Sequence, residues 1–125
     1  MHELSIAQSL IEIAEETARN AGATEVLAVH LRLGALSGVV PDALQFSFPI
    51  AAEGTLVAGA QLIIEEVPAV VYCDQCAAER SITWPPDFRC PVCGEFAPKL
   101  LQGRELQITA IEVMEKDEVD AAAHR

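Results

Sequence analysis

Two pairs of cysteines have the residue type and the spacing of a metal site. They follow the pattern C-x-x-C, lie thirteen residues apart, and comprise Cys73, Cys76, Cys90 and Cys93. Each C-x-x-C turn directs two thiolates at one point, so two turns supply the four corners of a tetrahedral site with sulfur–zinc distances of about 2.3 Å. Gly94 fits such a turn because glycine adopts positive φ at no steric cost. We predict a closed, structural Zn²⁺ site.

Two other uses of the four cysteines stay open. A tetrahedral iron site uses the same ligands and would colour the protein red, whereas a zinc protein is colourless. Disulfides or a redox-active dithiol pair are the second alternative. Because the sequence has four cysteines and all fall within the two pairs, metal binding in a reducing compartment is favoured.

The start of the chain offers a second set of ligands. The amine of Met1, the amide nitrogen of His2 and its imidazole can form fused chelate rings, which suit a square-planar ion such as Ni²⁺. The Glu3 carboxylate is next in line. Since an imidazole binds metal only when it is neutral, nickel should be lost below about pH 6.5. The alternative is an unliganded terminus, because many proteins begin with Met-His.

No catalytic constellation is recognisable. The glycines lack the spacing of a phosphate loop, and there is neither a nucleophile elbow nor an H-E-x-x-H motif. His30 falls on the polar side of an alternating segment, where a solvated side chain is favoured over a metal ligand. We therefore predict that the protein is not an enzyme and has no catalytic residues.

Composition limits the partners. The 125 residues carry a formal net charge of −11, which repels the phosphate backbone of nucleic acids and suits cations or basic protein surfaces. No run approaches the ~20 apolar residues that a membrane-spanning helix needs, and the start lacks the pattern of a signal peptide. We expect a cytoplasmic protein that binds neither nucleic acid nor membrane. The sequence leaves open whether two chains pair as a homodimer.

The elements that must position these residues alternate between helix and strand. Apolar spacing predicts a first helix, and Pro41 opens a second one, which Pro49 should kink or end. Phe46 and Phe48 are expected in the core. The sequence predicts a helix over 4–20, a second helix that opens at 41 in a segment closed by Gly54, strands over 25–33, 61–67 and 105–113, and loop over 99–103.

The predicted fold is α+β. It is a small three-stranded mixed sheet with two helices on one face, interrupted between its second and third strands by a zinc-ribbon-like module. Strand 61–67 is expected at the centre because both of its faces carry apolar residues. The predicted domains are a discontinuous nickel-binding α/β domain over 1–69 and 104–116, a zinc-binding domain over 70–103, and a flexible tail over 117–125.

Several motifs in one order resemble a known family. They are Met1-His2-Glu3-Leu4-Ser5, Leu36-Ser37-Gly38-Val39-Val40-Pro41, Leu62-Ile63-Ile64-Glu65-Glu66-Val67-Pro68, the two cysteine pairs with Cys90-Pro91-Val92-Cys93-Gly94, Gly103-Arg104-Glu105-Leu106 and Ile111-Glu112-Val113. Over about residues 1–114 the sequence resembles the hydrogenase nickel-incorporation family (HypA/HybF).

This resemblance implies a nickel metallochaperone that acts with a HypB-type GTPase to load nickel into the large subunit of [NiFe]-hydrogenase; some relatives also serve urease. Carried over by position, the nickel ligands would be Met1, His2 and Glu3, and the zinc ligands Cys73, Cys76, Cys90 and Cys93. Some relatives place an acidic ligand in the loop after the first strand. Here that position is Val40 and the nearest acid is Asp42, so no such ligand is assigned. A zinc-ribbon module that binds protein or nucleic acid is the alternative function.

Overall fold

The structure is a computed structural model, and it describes residues 2–83 and 85–115. The predicted tail, with His124, and the single tryptophan, Trp84, lie outside the described residues. The described part contains two helices and six strands. They are α1 His2–Asn20, β1 Ala23–Gly34, α2 Pro41–Ala52, β2 Gln61–Val67, β3 Ala69–Cys73, β4 Ala78–Ile82, β5 Lys99–Gln102 and β6 Leu106–Glu115.

The chain divides into two compact units. Among the described residues, the helical unit comprises 2–31, 39–64 and 108–115, and the cysteine unit comprises 32–38 and 65–107 apart from position 84. The predicted α+β class, with a small inserted module that carries the cysteines, is confirmed. The domain boundaries given above stay a prediction.

The first helix buries the face that its apolar spacing predicts. All five residues at the inward positions, Ala7, Leu10, Ile11, Ala14 and Ala18, are buried. Ile13, although apolar, is half exposed. The helix packs against α2 and begins at His2, so His2 and Glu3 lie in its first turn. Anionic groups are stabilised there by the helix dipole.

Helix α2 begins at Pro41 as predicted, but it does not end at Pro49. It continues to Ala52, because the single backbone hydrogen bond that proline removes is lost close to the end of the helix. Leu44 and Phe48 are buried, whereas Phe46 is 74% exposed. The prediction that Phe46 packs in the core was therefore wrong.

One sheet has the strand order β2-β1-β6. Its central strand is β1, so the prediction that 61–67 is central was wrong: β2 is an edge strand. Strands β1 and β2 run parallel. The backbone N–H of Ala35 donates to the Val67 carbonyl, and three residues earlier in β1 Arg32 pairs with Glu65 of β2. Strand β6 runs antiparallel to β1. At the start of β1 the Thr24 hydroxyl donates to the Met114 carbonyl near the end of β6, and at the end of β1 the Gly34 N–H donates to the Glu105 carbonyl just before β6. The predicted mixed sheet is thus confirmed.

The alternation along β1 is not regular. Val26, Ala28 and Val29 are all buried, whereas Leu27, which lies between them, is 42% exposed. The inward phase therefore changes between Ala28 and Val29. The sequence does not mark this change, because every residue from Val26 to Val29 is apolar.

The cysteine unit contains a second, antiparallel sheet in the order β4-β3-β5. Its outer strand β5 covers Lys99–Gln102, so the prediction of loop there was wrong. Strand β5 is short and is interrupted by an irregularity opposite Val70 and Val71. A four-residue strand of this kind leaves little alternating pattern in the sequence.

Two glycines, Gly34 and Gly103, allow backbone segments of the cysteine unit to approach each other closely. A Cβ atom on Gly34 would lie 2.1 Å from the carbonyl oxygen of Gly103. Gly103 itself has φ 129°, and a Cβ there would lie 2.8 Å from the Ala69 Cα. Any side chain at either position would therefore displace backbone.

Candidate metal centres

The first cysteine pair forms the turn of the β3–β4 hairpin. Cys73 is the last residue of β3 and pairs with Ala78 at the start of β4. The backbone N–H of Cys76 lies 3.4 Å from the Cys73 sulfur and donates to it. Ala77 closes the turn with φ 52°, which is rare for a residue with a side chain. The hairpin thus brings two sulfurs to one side of the turn.

The second cysteine pair lies in a turn of the same kind. The Cys90 N–H donates to the Glu95 carbonyl over 2.8 Å, and the Gly94 N–H donates to the Cys90 carbonyl over 2.9 Å. The backbone N–H of Val92 donates to the Cys90 sulfur over 3.4 Å. Gly94 has φ 78°, as the sequence predicts for the residue that closes the turn.

The two turns bring all four sulfurs together. The Cys73 and Cys93 sulfurs lie 3.5 Å apart, those of Cys76 and Cys90 lie 3.9 Å apart, and all four lie within 4.8 Å of one another. In a regular tetrahedron with 2.3 Å bonds to a central ion, neighbouring sulfurs are about 3.8 Å apart. The spacing therefore fits a tetrahedral ion bound by four thiolates. None of the four cysteines forms a disulfide.

An apolar cluster holds the turns in place. Cys73 and Cys90, the first cysteine of each pair, are 1% and 2% exposed. They belong to the core of the cysteine unit together with Ala69, Val71, Ile82 and Ala97, and Leu36, Phe88 and Leu100 pack against it. Cys76 is half-buried and Cys93 is exposed. The sulfurs therefore lie at the edge of a small core, where each turn contributes one inner and one outer ligand.

The pKa values of two of the thiols reflect the close approach of the four sulfurs to one another. Backbone N–H groups, first that of Cys93 and then that of Val92, lower the pKa of Cys90 to about 6. For Cys93 the Glu95 N–H acts in the same direction, but partial desolvation of its sulfur and the three neighbouring sulfurs raise its pKa to about 12. Sulfurs this close repel one another when ionised, so four thiolates here require a bound cation.

The start of α1 brings two of the three predicted nickel ligands together. His2 Nδ1 lies 3.7 Å from a carboxylate oxygen of Glu3. The same oxygen accepts a hydrogen bond from the backbone N–H of Val40 over 3.2 Å. This bond is the main cause of the lowered pKa of Glu3, so Glu3 stays a carboxylate. Met1 lies outside the described residues, so the predicted three-residue ligand set stays a prediction.

The sequence favours a solvated side chain for His30, but in the structure this side chain contacts Glu112. Its Nε2 lies 2.5 Å from a carboxylate oxygen of Glu112, and the His30 side chain is one-third exposed. The sequence did not indicate this contact, because it joins residues on β1 and β6 that lie far apart in the chain. Among the described residues, the four cysteines are the only group of three or more metal-ligating side chains. His30 and Glu112 are therefore better described as a hydrogen-bonded pair across two strands.

Comparison with known proteins places the chain among nickel-handling proteins. Residues 1–113 match the family model described as "Hydrogenase/urease nickel incorporation, metallochaperone, hypA". The chain is 57% identical over 112 residues to the hydrogenase maturation factor HypA of Chloroflexus aurantiacus, covering 90% of this chain and 98% of the relative. It is 51% identical over 123 residues to the factor of that name from Roseiflexus, covering 98% of this chain and 99% of the relative.

Solved structures share the fold. One is the solution structure of the Ni metallochaperone HypA from Helicobacter pylori, with a TM-score of 0.62 and 23% identity over 91% of this chain and 98% of that one. A second, a solution structure of HypA protein, has a TM-score of 0.64 and 25% identity over 93% and 98%. At this level of identity, the first likeness shows the fold alone.

Proposed function

Since the chain belongs to the HypA family of hydrogenase and urease nickel-incorporation metallochaperones, we propose that it binds Ni²⁺ at its amino terminus and delivers it, with a GTPase partner, to a [NiFe]-hydrogenase. The resemblance noted in the sequence is confirmed by the match over residues 1–113. The family consists of maturation factors, so the prediction that the chain is not an enzyme is confirmed as well.

The observation that carries the proposal is the placement of His2 and Glu3 in the first turn of α1. The His2 side chain is 62% exposed, so its imidazole is open to an incoming ion. The Glu3 carboxylate is held by the Val40 N–H close to the His2 ring. Two ligand side chains thus lie together with no large rearrangement needed.

The backbone at this point is also suited to chelation. The first four N–H groups of an α-helix have no partner within the helix, so binding at the His2 amide nitrogen breaks no helical hydrogen bond. That nitrogen, the Met1 amine and the His2 imidazole form the fused chelate rings described above. Nitrogen ligands at a chain end bind Ni²⁺ firmly enough to carry it and can release it to an acceptor with stronger ligands.

The four cysteines are proposed to bind Zn²⁺. Their sulfur spacing fits a tetrahedral site, and their thiolates are ligands that zinc prefers. Zinc bound by four thiolates has no open coordination position, so it supplies shape to the cysteine unit. The turns at Cys73–Cys76 and Cys90–Cys93 and the small apolar core keep the sulfurs at these positions.

The partners are proposed from the family: a HypB-type GTPase and the large subunit of a [NiFe]-hydrogenase. The net charge of −11 suits partners with a basic docking surface and disfavours nucleic acid. Neither helix in the described ranges has the length and apolar character needed to span a membrane.

Nickel titration of tag-free, zinc-loaded protein tests the site. His2→Ala should abolish stoichiometric Ni²⁺ binding in calorimetry, and the zinc content should stay at one equivalent. His30→Ala is the matched control, because His30 lies in the same unit but pairs with Glu112. Equal nickel affinity in the wild type and His2→Ala would contradict the proposal, as would loss of nickel binding in His30→Ala alone.

A further inference from the structure

The segment that carries the cysteines has few positive charges to place near them. Within residues 70–103 the basic side chains are Arg80, Arg89 and Lys99. Arg89 is exposed and lies 3.9 Å from Asp87. The Lys99 ammonium lies 5.8 Å from the centre of the Tyr72 ring. Each of these two cations has a partner other than a cysteine, and Arg80 is the third.

Strand pairing places Arg80 on the inner face of the sheet. Arg80 is paired with Val71, and Ala78 with Cys73, across the β3–β4 hairpin. Side chains of residues paired in this way lie on the same face of an antiparallel sheet. Val71 and Cys73 are both buried in the core of the cysteine unit. An arginine on this face is unusual, since arginine is rarely buried without a partner.

The guanidinium of Arg80 interacts with the cysteine sulfurs. The thiols of Cys90 and Cys76, one from each turn, interact with it electrostatically and raise the pKa of the arginine. Its Nη1 also donates to the Glu79 carbonyl over 3.2 Å. Its Nε is buried and has no hydrogen-bond partner among the described residues. Arg80 thus lies on the core face that carries Cys73, with a buried, unpartnered Nε and a charge that acts on two of the metal ligands.

We propose that Arg80 balances the charge of the four-cysteine metal site and positions the Cys76 and Cys90 thiolates. This inference rests on the proposed zinc site. Four thiolates and one divalent ion sum to a charge of −2, at the edge of a low-dielectric core. A guanidinium beside two of the sulfurs halves that charge and makes these thiolates less prone to leave the metal. Partners of this kind outside the ligand set typically change metal affinity about 10- to 100-fold.

The rate of zinc transfer from the loaded full-length chain to a chromogenic chelator tests this role. Arg80→Met keeps the apolar stem and removes the charge, and it should release zinc about 10-fold faster than the wild type. Arg80→Lys keeps the charge and should release zinc at a rate close to that of the wild type. If the arginine only filled space, Arg80→Met would retain zinc and Arg80→Lys would give no advantage over it. Arg89→Met is the matched control and should behave as the wild type.

The outcomes separate this inference from the zinc assignment. Wild-type protein that holds one equivalent of zinc, with Arg80→Met releasing it no faster than Arg89→Met, would overturn the role of Arg80 alone. Wild-type protein that holds no zinc would overturn the site and the inference together. If Arg80→Met fails to fold, Arg80→Gln, which is also neutral, replaces it, with the same expected release rate and the same contradicting result.

Discussion

Ala77 and Gly94 occupy the same place in the two cysteine turns, directly after the second cysteine of each pair, and both have positive φ, 52° and 78°. The two turns thus share a residue with positive φ at the closing position, although the closing residues differ. Glycine adopts this conformation without strain, whereas a residue with a Cβ atom pays roughly 1–2 kcal/mol. The first turn therefore carries a strain that the second does not.

Ala77→Gly should relieve this strain. We expect a gain of up to about 1 kcal/mol in the free energy of unfolding of zinc-loaded protein, since the greater freedom of glycine in the unfolded chain offsets part of the relief. Gly94→Ala should lower the free energy of unfolding by about 1–2 kcal/mol. Chemical denaturation in excess zinc measures both changes. Destabilisation by Ala77→Gly would show that the left-handed conformation at this position is not strained.

The close approach at Gly34 predicts a larger loss. A Cβ atom there would overlap the backbone of Gly103, so Gly34→Ala must displace one of the two segments. We expect a loss of more than about 3 kcal/mol in thermal or chemical unfolding. Gly59→Ala is the comparison, because Gly59 has φ 83° but open space around it, and it should cost only about 1–2 kcal/mol. Equal losses in the two variants would contradict the close approach.

The two phenylalanines of α2 predict opposite responses. Phe48 is 2% exposed and Phe46 is 74% exposed. Phe48→Ala should lower the free energy of unfolding by about 3–5 kcal/mol because it leaves a cavity in the core. Phe46→Ala should change it by less than about 0.5 kcal/mol. Denaturation curves of the two variants make the comparison, and a large loss from Phe46→Ala would contradict the observed orientation of the helix.

The contact between Glu3 and Val40 predicts a pH dependence. The hydrogen bond from the Val40 N–H lowers the pKa of Glu3 from its usual value of 4.5. A carboxyl group with a lowered pKa contributes stability above its usual pKa, and that contribution is lost as the pH falls through the folded-state value. The stability difference between wild type and Glu3→Gln should therefore be present at pH 7 and shrink as the pH falls below 4.5. Measured over this range by denaturation, a constant difference would contradict the contact.

Much of the candidate zinc site could be predicted from the sequence, because it depends on local spacing. A C-x-x-C turn fixes the direction of its own two sulfurs, and Gly94 marks the left-handed position directly. The inward face of α1 follows from helical periodicity for the same reason. The matching position in the first turn was not recognised, since Ala77 carries no sign of positive φ.

The rest depended on contacts between distant parts of the chain. The His30–Glu112 pair and the placement of Arg80 on the core face depend on strand pairing between segments that lie apart in the chain, which local sequence patterns do not reveal. The edge position of β2 likewise follows from sheet order, although its apolar residues on both sides suggested a central strand. Phe46 shows a further limit: an aromatic residue inside an apolar helix pattern can still face solvent.

In the proposed function, a free amino terminus binds nickel together with the His2 imidazole. The most direct measurement is calorimetric titration with Ni²⁺ at neutral pH of two zinc-loaded proteins, one with Met1 as its free first residue and one with additional residues before Met1. The free-terminus protein should bind one equivalent of Ni²⁺, and the extended protein should lose this binding while its zinc content is unchanged. One equivalent bound with equal affinity by both, or none bound by the protein with the free terminus, would contradict the claim.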